Sequence, residues 1–183
     1  MTVDWTDALN RARDHAPFLA RALERRDDLA QLLAAGAIEE ALAAARASGD
    51  GIADAGVAMR RERLALALVL AVGDLAGALP LDRVMGELSS LADRTLDRAI
   101  AAAITRRMPD AQPAGMIGLA LGKHGAGELN YSSDIDPILL YDPQTLPRRD
   151  RDEPGEAAQR YAREIVRLMS ENTQDGYVFR VDL

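Results

Sequence analysis

Between Leu121 and Asp142 the chain reads LGKHGAGELNYSSDIDPILLYD. Three glycines (Gly122, Gly125 and Gly127), Lys123, and the serines Ser132 and Ser133 precede two aspartates, Asp134 and Asp136, spaced by one residue. Each residue type suits one part of phosphoryl chemistry. Glycines let a backbone approach an anion closely and turn N–H groups toward it. A lysine adds a point charge, and serine hydroxyls can donate to phosphate oxygens. On a strand, Asp134 and Asp136 share a face while Ile135 turns to the core. Two carboxylates that close repel unless a cation sits between them. Mg²⁺ takes one or two carboxylates and fills its shell with phosphate oxygens and water, so the pair suits a metal–nucleotide complex. Taken alone, D-x-D is also the pattern of two exposed acids. The glycines alone are also the pattern of a turn beside a solvated lysine.

The elements that must position these residues change character along the chain. The first 110 residues read as helices. Pro17 suits a first helical turn, and the pattern after it runs to a stop at Gly36. A shorter helix is expected from about Ile38 to Ala47, and a longer one from about Asp54 to Leu75, with Leu64, Leu68, Val72 and Leu75 on one face. The stretch Gly77–Pro80 breaks it. Leu81, Val84, Met85, Leu88, Leu91, Leu96, Ile100 and Ile104 then mark a long helix ending before Pro109, so the two helices read as an antiparallel pair. Met116–Leu121 is a short apolar run that reads as a buried strand, although periodicity alone also fits a helix. DIDPILLYD reads as a second strand, PQTLPRRDRDEPGE as a loop, and Ala158, Tyr161, Ala162, Ile165, Leu168 and Met169 as a helical stripe. Asp175-Gly176 signals a turn, and YVFRVDL alternates as a third strand.

Composition narrows the function classes. Formal net charge is −7, and no basic face is evident in the pattern, so nucleic acid is not an expected partner. The longest apolar run, Leu64–Val72, falls well short of the ~20 residues a membrane span needs, so no membrane partner is expected. There is no cysteine, which excludes disulfides and thiolate chemistry. The N-terminus has early acids and no apolar core of a signal peptide, and a cytoplasmic location is expected. Two histidines, neither in a nucleophile elbow, speak against a hydrolase triad.

Two common phosphate loops do not fit. The Walker pattern needs a glycine where Ile117 stands and Ser or Thr where His124 stands. The dinucleotide fingerprint does not match the spacing of Gly122, Gly125 and Gly127. Strand, Gly-Lys, a short turn, then D-h-D before the next strand resembles the polymerase-β-like nucleotidyltransferase signature. The longer string LGKHGAGELNYSSDIDPILLYD, together with RRERLALALVLAVGDLAGALPLDRVMGELSSLAD and TQDGYVFRVDL, resembles the glutamine synthetase adenylyltransferase / adenylyl-removing family.

That resemblance implies an α+β fold. A helical N-terminal region over residues 1–110 would be followed, over 111–183, by an incomplete nucleotidyltransferase domain with a small mixed sheet. Family members carry two such halves, one removing AMP from a glutamine synthetase tyrosine and one attaching it. LNYSSDID and TQDGYVFRVD resemble the removing, N-terminal half. Met1 agrees with that position, and the family strand runs on where this chain stops at Leu183, so a truncated front of the removing half is expected. The resemblance supplies a third carboxylate, Asp182, and makes Asp134, Asp136 and Asp182 a catalytic, metal-binding triad for one or two Mg²⁺ ions. Gly122, Lys123, Ser132, Ser133 and Arg180 would bind phosphate or nucleotide, with Arg180 able instead to pair with an acid. The implied substrates and products are ADP or ATP and orthophosphate. The implied partners are glutamine synthetase and the PII signal protein.

The implied reaction is phosphorolysis of adenylyl-tyrosine with release of ADP. The alternatives are ATP-dependent adenylylation, or a non-catalytic module that binds glutamine synthetase or PII. The sequence departs from the family pattern at Pro137, where leucine is usual, at His124, where an apolar residue is usual, and at Leu183 in place of methionine. His124 is read here as a packing or surface residue.

Overall fold

A computed structural model of the chain describes residues 3–183. The chain divides into two compact bodies. One comprises the residues up to Ala53 with Val57–Met85, and the other comprises Asp54–Gly56 with Gly86–Leu183.

The first body is helical. It holds α1 (Trp5–His15), α2 (Pro17–Arg25), α3 (Asp27–Ala34), α4 (Ile38–Arg46) and most of α5 (Ala55–Leu75). The Asp4 side chain caps α1 by accepting the Asp7 N–H. Gly36 takes a left-handed φ of +74° beyond α3, and a Cβ there would meet the Trp5 indole at 3.0 Å. The single helix expected from Pro17 to Gly36 is two helices, broken at Arg26 (φ −126°, ψ 63°). The Arg26 guanidinium binds both carboxylate oxygens of Asp28 and the Ser48 hydroxyl. Asp27 and Asp28 then fall in the first turn of α3, where acids are favoured by the helix dipole. The one-faced stripe expected of α5 is also corrected, because every residue from Ala65 to Leu70 is buried. A helix apolar on all sides belongs inside its domain.

The second body holds most of α6 (Leu81–Arg107), the strands β1 (Met116–Ala120) and β2 (Pro137–Tyr141), the one-turn α7 (Gly122–Gly125) and α8 (Pro154–Ser170). α6 ends two residues before Pro109, and Pro154 opens α8 where its missing N–H costs nothing. β1 and β2 form a two-stranded antiparallel sheet in which Gly118 faces Leu139 and Ala120 faces Pro137. A Cβ on Gly118 would meet Leu96 at 2.5 Å, so α6 lies directly on the inner face of the sheet. The outer face carries the cross-strand pairs Ile117–Leu140 and Leu119–Ile138, all exposed. β1 is therefore half-buried rather than the buried strand expected.

The third strand expected at YVFRVDL reduces to one parallel bridge, Ile135 to Val181. The backbone donors of this tail go elsewhere. Val178 and Phe179 donate to the Met169 carbonyl at the end of α8, and Val181 donates to the Ser170 hydroxyl. The first two bonds serve the open carbonyl end of the helix, and with the third they leave only the single bridge to Ile135. The turn at Asp175-Gly176 forms as expected, with Gly176 at φ +80°. No helix among the described residues is long and apolar enough to cross a membrane.

Candidate active site

The candidate residues all lie in the second body, around the ends of β1 and β2 and the tail. Leu121 is extended, and the chain then closes a single turn in which Gly125 donates to the Leu121 carbonyl and Ala126 to that of Gly122. Gly122 sits at φ +56°, a conformation that favours glycine, and a Cβ there would stand 3.9 Å from the Asp136 carboxylate. Gly125 is required for a different reason: a Cβ would sit 2.5 Å from the Ala120 carbonyl oxygen. Lys123 is exposed on this turn. The turn and Asp136 thus come together as the spacing suggests.

Asp134 and Asp136 are exposed on either side of the fully buried Ile135. They precede β2 rather than lying within it. Pro137, the departure from the family pattern, opens the strand opposite Ala120, a position where a missing N–H is tolerated. The backbone of Ile135 donates to the Arg180 carbonyl at 3.0 Å, and Asp182 donates to the Ile135 carbonyl at 3.2 Å. This single bridge brings Arg180 and Asp182 beside the two aspartates from the far end of the chain. Arg180 donates through Nε to the Asp134 carboxylate and reaches the Ser132 carbonyl at 3.4 Å. The Asp134 carboxylate, first through that hydrogen bond and then through its charge, pushes the Arg180 guanidinium further up.

Ser132 and Ser133 are organised by Asn130. The Asn130 side chain accepts the Ser132 N–H at 3.1 Å, and the Ser133 hydroxyl accepts the Asn130 N–H at 3.0 Å. The Ser133 hydroxyl keeps its own proton free for donation. Asn130 is not among the site residues that the sequence motifs single out. Its signal is an asparagine two residues before the serines, the spacing of an Asx turn.

His124, read from the sequence as a packing or surface residue, is buried. Its side chain is 2% exposed, and Nε2 lies 2.8 Å from the Asp93 carboxylate on α6. Nothing in the local sequence reveals this, because the burial comes from α6.

Three exposed carboxylates are hard oxygen donors, and as a donor set they fit Mg²⁺. Their side chains do not meet at a point: among the described residues, no three Asp, Glu or His side chains gather where one cation would touch all of them. Arg180 supplies the counter-charge to Asp134 instead.

Comparison with known proteins identifies the family. Residues 6–183 match the glutamate-ammonia ligase adenylyltransferase family. The chain is 40% identical over 187 residues to the bifunctional glutamine synthetase adenylyltransferase/adenylyl-removing enzyme of Caulobacter vibrioides, covering 92% of this chain and 19% of that protein. The protein of the same name from Xanthobacter autotrophicus is 39% identical over 151 residues, covering 76% of this chain and 15% of the relative. That from Rhizobium meliloti is 36% identical over 154 residues, covering 75% and 15%. The chain thus spans about a fifth of the length of the first of these relatives. With a match that runs over nearly its whole length, the chain belongs to the glutamate-ammonia ligase adenylyltransferase family.

Proposed function

We propose that this chain is part of a nucleotidyltransferase that removes AMP from an adenylylated tyrosine of glutamine synthetase by phosphorolysis. One observation carries the reading. The Ile135–Val181 bridge sets Asp182 and Arg180 beside Asp134 and Asp136, with Gly122 against Asp136 on the other side. The glycine turn, the Asp134–Asp136 stretch and the tail that carries Asp182 come together around one short piece of backbone.

An oxygen of orthophosphate attacks the α-phosphorus of adenylyl-tyrosine, and the bond from phosphorus to the tyrosine oxygen breaks. The products are ADP and a phenoxide that takes a proton from water. The conjugate acid of a phenoxide has a pKa of about 10, so the leaving group needs no dedicated acid. The protein's task is positioning and charge compensation. Lys123 and the Ser133 hydroxyl bind phosphate oxygens, and the glycine turn admits the anion close to the backbone. Asp134, Asp136 and Asp182 would hold Mg²⁺, which when bound supplies charge neutralisation at the phosphoryl oxygens. Arg180, paired with Asp134 in the free protein, moves onto a phosphate oxygen when substrate binds.

The resemblance of LNYSSDID and TQDGYVFRVD to the removing half supports this direction over attachment of AMP from ATP. The test is direct. Adenylylated glutamine synthetase is incubated with the chain, Mg²⁺ and orthophosphate, and ADP release is measured. Phosphate-dependent ADP release is expected. Incorporation of AMP from ATP without such release would favour the opposite reaction. The ion pair between Arg180 and Asp134 favours a second reading, a module that binds glutamine synthetase without turnover. Binding of glutamine synthetase with neither reaction would support it.

A further inference from the structure

We propose that His124 is a positioning residue, which through Asp93 holds the Gly122–Glu128 turn in place against Asp136; this rests on the reading of the turn as the phosphate-binding part of the site. His124 is buried at 2% side-chain exposure, while Lys123 beside it is exposed. A carboxylate only accepts, so Nε2 carries the proton and donates to Asp93 at 2.8 Å. Nδ1 is also buried and has no hydrogen-bond partner among the described residues. A buried nitrogen without a partner is unfavourable, and an apolar side chain of similar size would avoid it. Packing alone therefore does not account for an imidazole here; the bond to Asp93 does.

A second bond from α6 shows what that contact holds. The Ser89 hydroxyl accepts the Leu129 N–H at 3.3 Å, and Leu129 is fully buried. Ser89 and Asp93 are four residues apart, one turn along the same face of α6. His124 and Leu129 are therefore fastened to one helix at two levels, and the turn between them is tied near both ends. Within it, Gly127 donates to the His124 carbonyl and Glu128 to that of Lys123. Freeing His124 releases the end that carries Gly122 and Lys123, the end facing Asp136.

The experiment compares the 183-residue chain with H124L, H124Q and D93A. It measures ADP affinity in the presence of Mg²⁺, and hydrogen exchange at the amides of Gly125, Ala126, Gly127 and Glu128. Leucine keeps the bulk and removes the donor. The glutamine amide nitrogen can stand where Nε2 stands. We expect H124L to lose about tenfold in ADP affinity, the scale of a hydrogen bond to a charged group. Its turn amides should exchange about tenfold faster while amides of α8 stay as in the parent. H124Q should recover both properties, and D93A should match H124L. Equal ADP affinity in H124L and the parent, or no recovery in H124Q, overturns the proposal while leaving the site intact. If the parent itself does not bind ADP, the site reading fails and the proposal falls with it, so the parent measurement separates the two failures. If H124L does not fold, D93A carries the same comparison from a side chain that is 66% exposed.

Discussion

Arg180 donates to the carboxylate of Asp134 across forty-six positions of sequence. The contact exists because Ile135 and Val181 form a parallel bridge, which aligns the residues on either side of each. In the proposed site Asp134 serves a cation, so Arg180 and the cation compete for one carboxylate. Removing the guanidinium should favour the cation. Both partners are exposed, and exposed ion pairs are weak. R180Q should therefore bind Mg²⁺ alone roughly two- to fivefold more tightly by titration calorimetry. It should bind ADP less tightly, because in the proposed site Arg180 also serves a phosphate oxygen. Unchanged Mg²⁺ affinity would show that the pair does not guard Asp134.

Asp152 should make stability depend on pH. It is buried, accepts from Arg107 at 2.6 Å and from Arg160 at 3.4 Å, and lies on the loop after β2. The Arg107 hydrogen bond, opposed by burial and helped by the charges of Arg107, Arg160 and Arg149, holds its carboxyl below the usual carboxylate range. A depressed folded pKa gives stability that is full above the unfolded value of about 3.9. That stability is lost as pH falls through the lower folded value. D152N should melt about 5 °C below the parent at pH 7. Melts from pH 7 to pH 3 should show the gap closing below about pH 4. A gap of constant size down to pH 3 would contradict this.

How far the sequence carried these assignments depended on the range of the forces involved. α6 was legible because Pro109 marks its end and its stripe is long; α8 was legible from its stripe, but its first turn, Pro154 to Glu156, reads as loop because proline, glycine and charges run together there. The break at Arg26 was not, since it depends on a guanidinium reaching Ser48 from another helix. The tail alternates like a strand, yet the donors of Val178, Phe179 and Val181 are taken by the end of α8, which no local pattern records. In the site, the meeting of Gly122 with Asp136 could be anticipated because both flank the adjoining ends of β1 and β2. The hydrogen bond of His124 could not, because its partner, Asp93, lies thirty-one residues away.

Two glycines should respond in opposite directions. Gly86 lies within α6 with nothing within 4 Å of a Cβ, so G86A should stabilise by about 0.5–1 kcal/mol through helix propensity. Gly125 has the Ala120 carbonyl oxygen at 2.5 Å, and G125A must displace backbone. It should destabilise by about 1–3 kcal/mol and weaken ADP binding as the turn shifts. Urea unfolding of the two variants measures both signs, and equal effects would contradict the geometry around Gly125.

The assembled site is tested most directly by a thermal melt with and without Mg²⁺ plus ADP, on this chain and on D136N. A ligand bound only by the folded state at a hundred times its Kd adds about 2.7 kcal/mol. That corresponds to a rise of roughly 5–10 °C in Tm for a domain of this size. The parent should show that rise, and D136N should not. A cooperative melt with no shift in the parent, or an equal shift in D136N, would contradict a nucleotide site built on Asp134, Asp136 and Asp182.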